Sequence, residues 1–200
     1  MWQTAVNVIL GILSVAGTFG TFYFGWQARK LNRERISFTW DELHAGGRDL
    51  AKQVKDSYFS PDIVLTPSIR GATVAGIVVL DLEIQTPLYT CIQEDRTRPT
   101  FGYVPSAHTR VETTKWHIFI PESLRAHSDK KILIVDDFAM SGDALFQVKQ
   151  CLEMFGFRTG AIKSATLVCT TTAIGGGKAP DFYWHKTPDY EFYFPWGRAR

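Results

Sequence analysis

The feature that most constrains the fold of this chain is the order of residue types over residues 130–145, KKILIVDDFAMSGDAL. Ile132 to Val135 form a short apolar run rich in β-branched side chains, which is typical of a parallel strand covered on both faces. Asp136 and Asp137 follow this run, and a Ser141-Gly142 turn then precedes an amphipathic helical stretch. Ligands of open parallel sheets bind beside the carboxyl ends of the strands. The pattern therefore predicts an α/β fold with a ligand site at this strand end.

The residue types at this strand end suit a sugar phosphate. A Ser-Gly turn at the start of a helix directs backbone N–H groups and a hydroxyl towards an anion. Neighbouring carboxylates accept hydrogen bonds from a ribose diol, or they hold Mg²⁺ through water. Another doubly wound domain with acids at a strand end, such as a phosphoacceptor domain or one with a metal-binding Asp pair, is the alternative that these residues leave open.

Residues 61–76, PDIVLTPSIRGATVAG, repeat the strand, turn and helix order earlier in the chain. The apolar run from Ile63 to Leu65 predicts a strand, and residues 72–82 predict a helix. In the turn between them, Gly71 would let the backbone approach an anion, and Arg70 can hold phosphate oxygens with two hydrogen bonds. This turn is therefore a second candidate anion site.

These residues resemble the type I phosphoribosyltransferases, whose signature for 5-phosphoribosyl-1-pyrophosphate is an apolar strand, two acids, a short spacer and Thr/Ser-Gly. The resemblance implies a central parallel sheet flanked by helices, with a small C-terminal hood. It implies that Asp136 and Asp137 are the catalytic residues that hold the ribose diol and Mg²⁺, and that Arg70 and Gly71 bind pyrophosphate. It further implies that the 5′-phosphate lies against Ala139, Met140, Ser141, Gly142, Asp143 and Ala144.

The C-terminal stretch GGGKAPDFYWHKTPDYEFYFPWG resembles the purine-type members, which use hypoxanthine, guanine or xanthine. On that resemblance Phe182 stacks on the base, Tyr183 offers main-chain contacts, and Asp189 contacts the N2 side of the purine. The polar segment over residues 93–115 corresponds to the mobile lid of the family, with Arg96, Arg98, Arg110 and Lys115 as pyrophosphate contacts. A solvent-exposed β-hairpin is the alternative that this segment leaves open.

Several positions depart from the purine-type pattern. Met140 stands where these enzymes often carry a carboxylate close to the base nitrogen, and a methionine cannot take a proton. Asp143 and Ala144 replace residues that help to bind the 5′-phosphate, and a carboxylate beside a phosphate repels it. Cys169 stands where some members place a Lys that recognises the exocyclic oxygen of the base.

Residues 4–26 carry no charged side chain, and a run of this length spans a hydrocarbon core of about 30 Å. No basic residue precedes the run, so a transmembrane helix is favoured over a signal peptide, with a buried core helix as the other alternative. The basic flank over residues 29–35 places the following domain in the cytoplasm, and a bacterial inner membrane fits this topology. The expected organisation is a transmembrane anchor at 1–28, a juxtamembrane helical segment at 29–57 and a phosphoribosyltransferase-like domain at 58–200.

Composition excludes some partners and favours others. A net charge of +2, with 20 acidic residues, gives no concentrated basic face, so nucleic acid is not expected as a partner. The three cysteines, Cys91, Cys151 and Cys169, lack CxxC spacing, which favours reduced packing residues in a reducing compartment. Small residues spaced four apart in the apolar run, such as Ala16 and Gly20, permit a second helix to approach, so we expect a homo-oligomer.

Two hypotheses for function follow. The first is a membrane-anchored phosphoribosyltransferase that joins a purine-like base to the activated ribose, releases pyrophosphate and uses Mg²⁺. The second is a catalytically weakened module that binds phosphoribosyl pyrophosphate or a nucleotide and controls the membrane helix, for example in bacterial defence. The departures at Met140, Asp143 and Ala144 motivate the second hypothesis.

Overall fold

The computed structural model describes residues 36–100, 102–188 and 192–198. The transmembrane helix expected at residues 4–26, and the base contact expected of Asp189, lie outside these ranges. Within the described ranges, every helix is too short or too polar to cross a membrane.

The predicted α/β fold is confirmed: the central sheet has five parallel strands in the order β3-β2-β7-β8-β9. In chain order the elements are β1 (Ile36–Ser37), α1 (Trp40–Asp56), β2 (Ile63–Thr66), α2 (Ile69–Leu82), β3 (Leu88–Thr90), β4 (Ile92–Asp95), β5 (His108–Glu112), β6 (Trp116–Pro121), β7 (Ile132–Ala139), α3 (Asp143–Met154), β8 (Ile162–Thr170), α4 (Thr171–Gly175), β9 (Phe182–Thr187), β10 (Phe192–Phe194) and β11 (Gly197–Arg198).

Apolar side chains bury both faces of this sheet, because successive residues of a strand point to opposite sides. Helices α1 and α2 cover one face, where Leu43, Leu50, Val74 and Val78 pack on Leu133 and Val135. Helix α3 and strand β6 cover the other face, where Leu145, Val148, Leu152 and Ile118 pack on Ile132 and Ile134. The sheet therefore has two cores and presents its carboxyl edge between them.

Strand β7 is longer than its apolar run predicts. The apolar residues end at Val135, but pairing with β8 continues through Asp136 opposite Thr166 to Ala139 opposite Cys169. Strand β8 is nine residues long and almost entirely buried. Its backbone therefore offers hydrogen-bond partners to β7 beyond the end of the apolar run. The two acids therefore lie within the strand, near its carboxyl end.

Helix α1 begins at Trp40, so residues 36–39 of the helical segment expected at 29–57 are not helical, and residues 29–35 lie outside the described residues. Thr39 and Glu42 form a capping box that fixes the start at Trp40, and the preceding β1 pairs in parallel with β10. Strand β10 also pairs antiparallel with β11. The small C-terminal hood is therefore a three-stranded sheet that includes the chain just before α1, while α1 itself packs on the central sheet.

The polar segment over residues 93–115 contributes strands as well as loops. Strands β4, β6 and β5 form an antiparallel sheet in that order, and β5 and β6 make a hairpin whose turn is residues 113–115. The Thr113 hydroxyl accepts from the amides of Lys115 and Trp116, at 3.3 and 2.8 Å, and so fixes the turn. This turn reaches the carboxyl edge of the central sheet.

Close helix packing at Gly47 predicts that Gly47→Ala destabilises the fold. A Cβ atom there would overlap the side chain of Ile77 in α2, with the Ile77 Cβ at 3.1 Å. We expect a loss of about 1–3 kcal/mol in the free energy of unfolding from overpacking, measured by urea denaturation of the full chain. Gly76→Ala in α2 is the matched control, because no atom lies within 4 Å of a Cβ there and the helix propensity of Ala is higher. Equal stability of the two variants would contradict this packing.

Candidate functional site

A cleft of about 430 Å³ lies at the carboxyl end of β7, between the two anion sites predicted from the sequence. Three segments line it: the β2–α2 turn, the turn of the β5–β6 hairpin, and the loop from β7 into α3. The lining residues are Ser68–Arg70, Gln93, Thr113–Trp116, Asp136 and Phe138–Leu145. The cleft is therefore built where the parallel-sheet argument places a ligand site.

Asp136 is a buried carboxylate in the wall of this cleft. Its Oδ1 accepts from the Ser68 hydroxyl at 2.7 Å and from the Asp137 backbone amide at 3.0 Å. Burial, with the neighbouring Asp137 charge, raises the pKa of Asp136 to about 8. Burial at this position therefore favours the neutral form of the Asp136 carboxyl group.

Asp137 follows Asp136 in β7, and its carboxyl group is hydrogen-bonded both to the Asp136 carboxyl group and to the C-terminal hood. Its Oδ2 accepts from the indole N–H of Trp196 at 3.2 Å. Burial raises the pKa of Asp137, while the Trp196 hydrogen bond and the positive charge of Arg70 act in the opposite direction. The Trp196 ring is held by stacking on Phe194, with centroids 4.9 Å apart. The hood therefore contributes a donor to the acid pair.

The predicted phosphate loop, residues 139–144, lines the cleft along its whole length. Gly142 is the N-cap of α3 and has a φ of 71°, which favours glycine, and a Cβ there would overlap the carbonyl oxygen of Lys178. The Thr170 hydroxyl donates to the carbonyl of Met140, which fixes the other end of the loop. The loop thus presents the start of a 12-residue helix to the cleft.

Asp143 is an acidic residue within the predicted phosphate loop, and its carboxylate contacts two residues outside that loop. Its Oδ1 lies 3.0 Å from the ammonium of Lys178, and its Oδ2 accepts from the Thr114 backbone amide at 3.4 Å. The carboxylate therefore joins the hairpin turn and the segment after α4 at the phosphate end of the cleft.

The structure separates the two residues of the predicted pyrophosphate site. Arg70 lines the cleft, and its guanidinium donates to the Arg198 carbonyl at 3.2 Å. Gly71 lies in the first turn of α2 against β7, where a Cβ would stand 2.7 Å from Asp136 Oδ1. Gly71 therefore lets α2 approach the acid pair closely.

Of the four basic residues named in the lid segment, Lys115 lines the cleft. Arg110 instead forms an ion pair with Glu112 at 2.9 Å. Arg96 donates to the Thr113 carbonyl at 2.6 Å, so it supports the hairpin turn. Lys115 is thus the member of this set that a ligand in the cleft can contact directly.

The residues expected to contact a base lie elsewhere. Phe182 is 9% exposed and belongs to the same buried cluster as Phe138 and Phe192. The carbonyl of Tyr183 accepts from the Gln53 side chain at 3.2 Å. Neither Phe182 nor Tyr183 lines the cleft, and Asp189 is outside the described residues, so their roles in base binding stay predictions.

The acid pair fits a divalent cation that is shared with a substrate. Among the described residues, no group of three or more His, Cys, Asp or Glu side chains could hold a metal ion alone. The Asp136 and Asp137 carboxylates offer oxygen ligands of the kind Mg²⁺ prefers, and Mg²⁺ keeps several waters and binds substrate phosphates. Their raised pKa values mean that nearby positive charge would stabilise the ionised pair.

Sequence reasoning missed three of the contacts that shape this site. The donors Ser68 and Trp196 hold the acids, and Lys178 pairs with Asp143. Each lies far along the chain from its partner, so spacing gives no signal for the pair. Two features of the sequence, the Gly-rich run before Lys178 and the aromatic C-terminal stretch, indicate that these segments approach the sheet. They do not identify the residues that form the contacts.

Comparison with known proteins identifies what the chain is similar to. Residues 39–199 match the family profile described as phosphoribosyl transferase domain. A purine phosphoribosyltransferase from Pyrococcus horikoshii has a TM-score of 0.60 at 20% identity, covering 82% of this chain and 94% of that one. The xanthine-guanine-hypoxanthine phosphoribosyltransferase of Helicobacter pylori has a TM-score of 0.56 at 19% identity, with coverage of 82% and 94%.

A third similar structure is a protein from Neisseria gonorrhoeae with bound ppGpp. Its TM-score is 0.56 at 20% identity, covering 81% of this chain and 88% of that one. No curated protein matches the sequence. The structural similarities, at these identities, establish the fold.

The buried acid pair predicts a specific pH dependence of stability. Because the pKa of Asp136 is about 8 in the folded protein and near 3.8 without the fold, the folded state binds more protons between these values. Stability is therefore greatest at low pH in this window and falls as pH rises from about 4 to about 8. Asp136→Asn should flatten this fall, as measured by urea denaturation at pH 5 and pH 8.

The control for that measurement is Asp129→Asn, because the Asp129 side chain is 73% exposed. This variant should keep the pH dependence of the wild type. A wild-type stability that rises between pH 5 and pH 8, with the same rise in Asp136→Asn, would show that Asp136 is not a protonated buried acid.

Proposed function

Because the chain belongs to the phosphoribosyl transferase family, we propose that it transfers the phosphoribosyl group of 5-phosphoribosyl-1-pyrophosphate to a purine-like base and releases pyrophosphate. One observation above all supports this reaction. A buried carboxylate pair lies at the end of β7, beside a cleft that also contains Arg70 and the start of α3. Sugar hydroxyls, pyrophosphate and a phosphate each have matching groups there.

Each wall of the cleft has a distinct role in this proposal. Asp136, with the Asp137 carboxyl group hydrogen-bonded to it, accepts hydrogen bonds from the ribose diol. Residues 139–144 bind the 5′-phosphate at the start of α3. Arg70 and Lys115, on opposite turns, bind the pyrophosphate, and the guanidinium of Arg70 can do so with two hydrogen bonds.

The proton on the acid pair links binding to catalysis. A neutral carboxyl group still accepts hydrogen bonds, but an ionised carboxylate accepts more of them and stronger ones, so a bound ribose diol favours the ionised pair. The negative charge then lies beside the ribose, whose reacting carbon becomes positively charged as pyrophosphate leaves. Fixed charge in a water-poor site stabilises such a transition state.

Mg²⁺ is part of this proposal, with Asp136 and Asp137 as the residues that would hold its water shell. It would neutralise the pyrophosphate that leaves. Met140, which is 41% exposed and lines the cleft, cannot take the proton of the incoming base. The proposal therefore relies on positioning of the base more than on proton transfer by that residue.

The proposal also places the protein at a membrane. The uncharged run over residues 4–26 and the basic residues after it support a single-pass anchor at 1–28, with the domain in the cytoplasm of a bacterial cell. Self-association through this span is proposed as well. The test compares the membrane-bound fraction of the full chain, after a wash with alkaline carbonate, with that of a variant lacking residues 1–28. If the wash releases the full chain, and deletion of residues 1–28 does not change the bound fraction, the anchor is contradicted.

A second candidate function is a ligand sensor, and the hood favours it. Trp196 of the hood donates to Asp137, while β1, which leads directly from the N-terminal region, pairs with β10 of the same hood. A ligand that changes the charge of the acid pair would therefore act on the sheet that holds β1. Calorimetric binding of donor or nucleotide without turnover supports this candidate, and an oligomer size that ligand does not change counts against it.

Turnover distinguishes the two candidates. We predict pyrophosphate release when the full chain receives 5-phosphoribosyl-1-pyrophosphate, Mg²⁺ and one of hypoxanthine, guanine, xanthine or adenine. Asp137→Asn should lower kcat/KM by about 100-fold, since it removes a fixed charge beside the reacting sugar. Asp56→Asn, at a side chain that is 63% exposed on α1, should leave kcat/KM unchanged.

Folding of each variant is checked by its thermal unfolding profile. A folded wild-type protein that turns over none of the four bases overturns the transferase proposal. Equal activity of Asp137→Asn and wild type would remove the acid pair from the mechanism.

A further inference from the structure

Two loops that are distant in sequence meet at the phosphate end of the cleft. The Asp143 carboxylate contacts the Lys178 ammonium through one oxygen, at 3.0 Å, and the Thr114 amide through the other, at 3.4 Å. Asp143 lines the cleft, and its side chain is 19% exposed, against 35% for Lys178. Two hydrogen-bond donors are thus directed at one anion beside the phosphate loop.

The position of Lys178 is set by its own backbone. Its carbonyl oxygen packs so closely on Gly142 that a Cβ there would overlap it. Its amide donates to the Ala173 carbonyl at 2.9 Å, which holds the segment against the end of α4. The ammonium therefore stays within side-chain reach of the start of α3.

The Lys178 ammonium and the Thr114 amide are suited to bind a phosphate as well as the Asp143 carboxylate. A partly exposed Lys-Asp pair contributes little to the stability of a fold. A phosphate is a stronger acceptor than a carboxylate for a cation and an amide that converge, because it carries more charge and three oxygens. Ala144 leaves the loop without a hydroxyl at that position, so an additional donor has a function there.

We propose that Lys178 is a binding residue for the 5′-phosphate, and that Asp143 occupies Lys178 and the Thr114 amide when the cleft is empty. The inference rests on the proposed function, because it requires a phosphate to bind at residues 139–144. On this account the carboxylate lowers affinity for the sugar phosphate, and its displacement releases the two donors. Asp143 and Lys178 together then set how tightly the loop binds phosphate.

A double-mutant cycle tests this role with ribose 5-phosphate as the probe. The probe carries only the 5′-phosphate, so pyrophosphate contacts do not contribute. Its dissociation constant is measured by calorimetry on the full chain for wild type, Asp143→Asn, Lys178→Met and the double variant. Lys149→Met is the matched control, because Lys149 and Lys178 line the same neighbouring hollow, while Lys178 alone of the two contacts Asp143.

The decisive comparison is between Asp143→Asn and the double variant Asp143→Asn, Lys178→Met. Asp143→Asn should tighten binding by about tenfold, and adding Lys178→Met to it should weaken binding by about tenfold or more, as for a charge-assisted hydrogen bond. Lys178→Arg in the Asp143→Asn background should restore most of the affinity. Lys149→Met should change it less than twofold. Thermal unfolding confirms that each variant is folded.

The contrary outcomes separate two failures. If Lys178 only neutralises Asp143, Lys178→Met will not change affinity in the Asp143→Asn background, and the inference is overturned while the sugar-phosphate site stands. If neither wild type nor Asp143→Asn binds ribose 5-phosphate, the site itself is absent, and both the inference and the proposed function fail.

Discussion

The arrangement on which the rest of this structure depends is the burial of two neighbouring carboxyl groups at the end of one central strand. Taking such groups out of water is unfavourable unless donors or protons compensate. Here the compensation comes from three parts of the chain: the Ser68 hydroxyl in the β2–α2 turn, the Asp137 amide within β7, and the Trp196 indole in the hood. The acid pair thus fixes where these three parts meet.

Those donors also explain the shape of the cleft. Ser68 accepts from the Gly71 amide at 2.9 Å while it donates to Asp136, so the first turn of α2 is tied to β7. Gly71 permits this close approach because it lacks a Cβ. Arg70 is thereby placed at the cleft that residues 139–144 also line, and packing around the acids sets the distance between these two turns.

The sequence predicted the central sheet and the cleft walls because these depend on local patterns. An apolar run followed by acids and a Ser-Gly turn specifies a strand, a sheet edge and a helix start within a short segment. Residues 139–144 line the cleft at that edge, and their binding of phosphate stays a prediction. The contacts of Trp196 and Lys178 could not be predicted, because each joins segments that only the folded topology brings together. Phe182 is buried among aromatic side chains and does not line the cleft, so its role in base binding stays a prediction.

The central claim is that the acid pair holds a proton that the sugar donor displaces. Calorimetric titration of the full chain with 5-phosphoribosyl-1-pyrophosphate and Mg²⁺ at pH 7, in two buffers of different ionisation enthalpy, measures this directly. We expect proton release on binding by the wild type, and little or none by Asp136→Asn. Binding with the same proton release in both proteins would contradict it.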